Sequence, residues 1–172
     1  DGAGRVAHAQ RLLAVGHRDG RIGLFLTDHL RTLRPDPAVA PTEGREAEIL
    51  ETLAAMGCYR IWIGSESGSQ RILDAMQRGV TVEQVQWATK AAKRHGIEVG
   101  MFLMWGYDGE EVSDIEATIE HVKASDPDVY FTTVSYPIKG TGYYANLADK
   151  LAVTSDWASS TDRDIKVRGR HS

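Results

Sequence analysis

Cysteine is nearly missing from this chain: Cys58 is the only one in 172 residues, which excludes an intrachain disulfide and any metal centre built from several of its own cysteines. A lone thiol suits a reducing compartment, so a cytoplasmic location is expected. Long apolar runs are missing as well, none approaching the roughly 18 residues that a membrane-crossing helix needs. Neither sign of charge dominates, with 20 Lys and Arg against 24 Asp and Glu, so no clear nucleic-acid role is indicated. An initiating Met is absent; Asp1-Gly-Ala-Gly-Arg5 lacks the charged-then-apolar pattern of a secretion signal and reads as a cut end. The six histidines show no paired spacing on one helix face, so no metal site is assigned.

What is present is the composition of an ordinary globular chain, 42% hydrophobic and 26% charged, enough for one domain with a core. Residues 1–45 are rich in Arg, Gly and Pro. Their apolar residues fall in short irregular groups, Leu12-Leu13 and Ile22–Leu26, and three prolines stand within Arg34–Pro41, which reads as a connector. The abrupt return of pattern at Arg45 marks this segment as divergent, or as the product of a shifted reading frame. From there Ile49, Leu50, Leu53 and Met56 recur at helical spacing, and Gly57 ends the run. Tyr59–Ile63 is β-branched and aromatic and predicts a buried strand. Ser69 is placed to cap a short helix through Met76, and Thr81 with Gln84 forms a capping box for a helix to His95. Ile97–Trp105 predicts a strand covered on both faces. A helix with Ile115, Ile119 and Val122 on one face follows, then a strand over Asp128–Ser135.

Helix, strand, helix, strand, helix, strand is the order of an α/β fold with a parallel sheet, a partial (β/α) TIM-like barrel, since three strands cannot close one. The expected organisation is a divergent segment over 1–45, the partial barrel over 46–152 and a basic tail over 153–172. That tail is read as a solvated end or a connection onward. The open sheet edge predicts self-association. Trp62, Trp87 and Trp105 are assigned to packing.

In parallel α/β folds chemistry sits in the loops leaving the carboxyl ends of strands. Here those loops are Gly64–Gln70, Gly106–Glu111 and Tyr136–Thr141. Each combines glycine, which lets a ligand approach the backbone, with polar side chains. Glu66 has two acceptor oxygens suited to a vicinal diol such as a ribose, and Ser65, Ser67 and Ser69 add short donors. Taken singly, such loops are more often plain strand-to-helix turns; their shared position makes them candidates.

These loops carry a family resemblance. Met56–Met76 resembles the fourth strand and following helix of radical S-adenosylmethionine (radical SAM) enzymes, especially the cobalamin-binding and methylthiotransferase-like branches. His95–Glu110 is similar to the fifth strand with its glycine-glutamate loop, and Tyr136–Thr141 to the sixth-strand motif. The resemblance implies a four-iron, four-sulfur cluster that donates an electron to S-adenosylmethionine, giving methionine and a 5′-deoxyadenosyl radical, with cobalamin as an option. It implies that Glu66 meets the ribose hydroxyls, with Gly64, Ser65 and Ser67 nearby. The strand Val99–Trp105, Met104 included, and the turn Gly106–Gly109 then pack near the adenine or methionine moiety, with Tyr136 at the rim. No catalytic residue is assigned. The three clustered cysteines that hold the cluster in the family are not in the sequence, and Cys58, at the far end of its strand, does not replace them. The expectation is therefore a fragment, inactive by itself, that binds small molecules. Tyr107-Asp108 and Lys139 depart from the family's usual prolines. The alternatives are a non-catalytic half-barrel scaffold and a barrel enzyme whose Gly-Ser loops hold the phosphate of a sugar.

Overall fold

In the computed structural model, which describes residues 13–18, 21–26, 43–152 and 164–170, the strand-like stretches line up side by side. Strands β1 (Leu13–Arg18), β2 (Arg21–Leu26), β3 (Cys58–Glu66), β4 (Glu98–Trp105) and β5 (Val129–Val134) form one sheet in that order. β2, β3, β4 and β5 run parallel, while β1 is antiparallel to β2. Between the parallel strands in the chain come α1 (Glu43–Ala55), then α2 (Gln70–Ala75) and α3 (Val82–Arg94), then α4 (Val112–Ser125). After β5 follow α5 (Gly142–Asn146), a 3₁₀ turn (Ala148–Lys150) and the small antiparallel pair β6 (Leu151–Ala152) and β7 (Lys166–Val167). The expected parallel α/β sheet is present, and among the described residues it is open rather than a closed barrel. No helix among them is long and apolar enough to cross a membrane.

One face of the sheet carries the core. Alternation along each strand sends Ile61 and Ile63 of β3 and Val99 and Met101 of β4 to that face. They pack with Leu50 and Leu53 of α1 and Val85, Ala88, Ala91 and Ala92 of α3. Each buried Leu, Ile or Val there contributes about 1.5–3 kcal/mol. The small alanines let α3 lie close to the sheet. Its start is fixed as expected, with the Gln84 N–H donating to Thr81 Oγ1 and the Thr81 N–H to Gln84 Oε1.

The other face is aromatic and partly open. Trp62 stacks on Phe102 and Phe131 at ring-centroid distances of 5.0 and 5.3 Å. Gly100 makes this possible: a Cβ there would come within 2.3 Å of the Trp62 ring. Beneath the rings, Arg60 and Glu98 form a two-pronged ion pair at 2.5 and 3.0 Å.

Several expectations are corrected. Ile49 and Met56 are exposed, and Leu50 and Leu53 form the buried stripe of α1 instead. Trp87 is 40% exposed rather than packed inside. In α4 the buried residues are Asp114, Thr118, His121 and Ser125, while Ile119 is exposed. The β3–α2 loop presents polar partners to that stripe, and hydrogen bonding there outweighs the apolar periodicity. The β1–β2 hairpin is not foreseen from the irregular apolar groups, although Asp19-Gly20 between them is a favoured hairpin sequence. Residues 164–170 do not form a loose tail: β7 pairs with β6, and the Arg168 N–H donates to the Lys150 carbonyl at 2.9 Å. Leu12, the connector 34–41, His8, His29, His171 and residues 153–163 of the expected tail lie outside the described residues.

Candidate functional site

Parallel register places the three candidate loops on one rim. Glu66 stands beside Leu103, and Trp105 beside Val134, so the carboxyl ends of β3, β4 and β5 are neighbours. The Ser135 N–H then donates to the Trp105 carbonyl at 2.7 Å, continuing the alignment past the strands.

At the end of β3 the pairing slips by one residue between Gly64 and Glu66. Glu66 has φ 59°, in the left-handed region that non-glycine residues seldom occupy. Around it the Ser67 N–H donates to the Ser65 carbonyl at 2.7 Å, closing a tight γ-type turn. The Glu66 carboxylate folds over Gly64 beside Arg78, with Arg78 Nη2 lying 3.4 Å from Glu66 Oε1 and donating to the Gly64 carbonyl at 3.3 Å. A Cβ at residue 64 would sit 2.8 Å from Glu66 Oε1 and 2.9 Å from Arg78 Nη2, so glycine is what allows this pair to lie over the strand end. Burial pushes the Glu66 carboxyl above its usual range, and Arg78 offsets part of that rise. The pair offers a double acceptor next to a guanidinium donor, which suits a ligand carrying a vicinal diol and an anionic group.

Ser65 and Ser67, expected as donors to a ligand, are fully buried and turned toward α4 instead. Ser65 Oγ shares a hydrogen bond with His121 Nε2 at 2.8 Å, and Ser67 Oγ lies 3.2 Å from Thr118 Oγ1. Ser69 does not cap α2 with its side chain; its hydroxyl donates to Asp114 Oδ1 at 2.6 Å. Asp114 also accepts from Arg71 and from the Glu111 N–H. Burial would raise the Asp114 carboxyl, but these bonds from Ser69, Glu111 and Arg71 outweigh it and hold the group below the usual range.

The β4 loop is tied down internally. Gly106, at φ 71°, donates its N–H to Glu110 Oε2 at 2.5 Å, so the buried Glu110 closes the turn. The Gly109 carbonyl accepts from Arg71 at 3.0 Å, joining this loop to α2. Tyr107 stacks on Tyr143 at 4.8 Å, and burial raises its phenol above the ordinary value, helped by Tyr143 and Asp108. Met104, beside Thr133 in the register, is half-buried. Tyr136 lines an open concavity of about 550 Å³ with Phe102, Phe131, Thr133 and Arg170. The Arg170 guanidinium donates to the Ser135 carbonyl and lies against Gly106.

The structure therefore brings Gly64 and Glu66 together with Arg78, and Gly106 and Tyr136 together with Arg170. It gives Ser65 and Ser67 to α4. Arg78 and the Asp114–Thr118–His121 stripe as a unit are absent from the sequence reading, and Arg170 enters it only as part of the basic tail. A signal existed for the stripe, because spacings of four and three put all three residues on one helix face. Among the described residues, no three His, Cys, Asp or Glu side chains come together as a metal site.

Residues 17–122 match the family model described as the Radical SAM superfamily. An uncharacterized methyltransferase of Pyrococcus horikoshii is 31% identical over 126 residues, 72% of this chain and 27% of the relative. A tRNA-2-methylthio-N(6)-dimethylallyladenosine synthase of Moorella thermoacetica is 29% identical over 121 residues, 68% of this chain and 24% of the relative. The chain thus spans about a quarter of the length of these relatives. Among solved structures, the radical S-adenosylmethionine methyltransferase TsrM from Kitasatospora setae, with cobalamin and a [4Fe-4S] cluster bound, aligns with TM-score 0.59 at 19% identity, covering 84% of this chain and 26% of that one. The cobalamin-dependent enzyme OxsB, with aqua-cobalamin bound, aligns with TM-score 0.52 at 20% identity, covering 77% of this chain and 18% of that one. At these identities the likeness is one of fold.

Proposed function

The chain belongs to the radical SAM superfamily, and on that premise we propose that its sheet is the later part of an enzyme barrel that receives S-adenosylmethionine at the β3–β5 rim. One observation carries this reading: the Glu66 carboxylate, held in a strained turn and folded over Gly64, stands on the same rim as the Gly106 and Tyr136 loops. Backbone strain of this kind costs about 1–3 kcal/mol and persists where the surroundings enforce it, commonly at ligand sites. Glu66 accepts the ribose hydroxyls, the Gly64 and Gly106 backbones allow close approach, and Tyr136 with Arg170 bounds the cavity on the β5 side.

An iron–sulfur cluster does not fit the residues present. Cys58, the only cysteine, is buried at the amino end of β3, where its thiol reaches the Arg60 carbonyl at 3.6 Å. That end of the strand is opposite the rim. The ligands of a cluster are assigned to polypeptide other than these 172 residues. The chain alone is therefore inactive in radical chemistry and binds S-adenosyl compounds weakly.

Amide shift mapping by NMR with S-adenosylhomocysteine tests the assignment. Shifts should gather at residues 64–67, 106–109 and 136 with a Kd of roughly millimolar or weaker, and Glu66→Gln should remove them. Shifts elsewhere, sub-micromolar binding, or preferential binding of ribose 5-phosphate would overturn it. DNA adjoining the coding segment should encode Cys-x-x-x-Cys-x-x-Cys in frame; an intact gene without it would favour the half-barrel scaffold.

A further inference from the structure

We infer that His121 and Thr118 of α4 are positioning residues, which act through Ser65, Ser67 and Gly68 to hold Glu66 in its left-handed turn. This rests on Glu66 being the ligand-facing carboxylate.

The geometry brackets Glu66 on both sides. Before it, Ser65 Oγ meets His121 Nε2 at 2.8 Å. After it, Ser67 Oγ meets Thr118 Oγ1, and the Gly68 N–H donates to the same Thr118 oxygen at 2.9 Å. The Ser67 hydroxyl also accepts the Ser69 N–H at 3.1 Å. Gly68 lies against the helix itself, where a Cβ would be 2.5 Å from the Ala117 carbonyl and 2.4 Å from His121 Cβ. The loop and α4 therefore meet without an intervening side chain. Every hydroxyl in this contact is buried.

The ring of His121 is oriented in turn. Gln86 Nε2 lies 3.3 Å from His121 Nδ1. An amide nitrogen can only donate, so Nδ1 accepts and the proton sits on Nε2, aimed at Ser65. His121 is 2% exposed, and burial favours the neutral ring this arrangement needs. His121 thus anchors the side chain of Ser65, the residue whose carbonyl accepts the Ser67 N–H across the turn. Without these anchors a non-glycine residue at φ 59° has reason to relax, and its carboxylate leaves the Gly64 surface.

Hydrogen exchange of the Ser67 amide in the ligand-free full chain, combined with S-adenosylhomocysteine shift mapping, is the test. His121→Phe and Ser65→Ala should each speed Ser67 exchange at least ten-fold and weaken the ligand-induced shifts at 64–67 several-fold. His121→Gln, whose amide N–H can stand in for Nε2–H, should restore both. If His121→Phe does not fold, Ser65→Ala and Thr118→Val carry the same comparison. Unchanged Ser67 exchange would overturn the inference, as would equal losses in His121→Gln and His121→Phe, which would mark a purely structural role. If the unsubstituted chain gives no shifts at the rim, the proposed ligand is wrong, while Ser67 exchange still decides whether His121 holds the turn.

Discussion

Glu66 concentrates two costs in one residue. Its backbone is strained, and its carboxyl is pushed up chiefly by burial. A group whose folded pKa lies above its unfolded value stabilises the fold at low pH and loses that contribution as pH rises through the folded pKa. Ionised Glu66 therefore lowers stability at neutral pH. Glu66→Gln should melt higher than the unsubstituted chain at pH 7, and the difference should vanish below about pH 4; equal melting across the range would contradict this. Gly100 makes the opposite case, a residue required by what lies over it. Gly100→Ala should cost about 1–3 kcal/mol in chemical denaturation, because the Trp62 ring has to leave its place. The carboxylate at residue 66 was legible from its position after a buried strand. Arg78 was not, since a lone arginine before Gly79 carries no local sign that it folds back over residue 64.

At the scale of elements, α4 is the instructive case. Its apolar stripe is legible in the sequence, yet the stripe that is buried is polar. Periodicity reports which residues are apolar, and it does not report that a neighbouring loop brings serines and a backbone N–H to the other face. Asp114→Ala should cost roughly 2–3 kcal/mol in denaturant unfolding, because several hydrogen bonds to a buried charge are lost together. A loss under half of that would show the network to be slack. His121 adds a pH signature. Burial lowers its pKa from 6.5, while Glu83 on α3 is the charged group that pulls it back up. Stability from the neutral ring is complete above the unfolded value and is lost as pH falls below it through the folded pKa. Thermal melts should show a downward slope on acidification below about pH 6.5 that flattens in His121→Gln. Helix α3 and the parallel order were legible, because its capping box and the buried strands are written in consecutive residues. The β1–β2 hairpin was not, since its apolar groups are too short to show a period.

For the whole molecule, the sheet among the described residues ends at β5, where Tyr130, Phe131 and Val134 are each more than half exposed. An edge strand with free ladder groups and apolar side chains recruits partners. The chain should therefore associate with rising concentration in size-exclusion chromatography with light scattering, and Val134→Lys should reduce it. A monodisperse monomer at high concentration would argue against an adhesive edge. Fold class was readable because alternating helices and strands leave few topologies. The convergence of Arg170 on the rim was not, since it depends on β7 pairing back with β6 across residues distant in the chain.

Trp62 and Gly100 occupy what is in effect one side chain's worth of space, shared between two adjacent strands. Drift at one position is felt at the other: a larger residue at 100 costs least in a lineage that has already traded the indole for something slimmer. Natural variants should change at these two positions as a matched set, leaving the combined volume nearly constant.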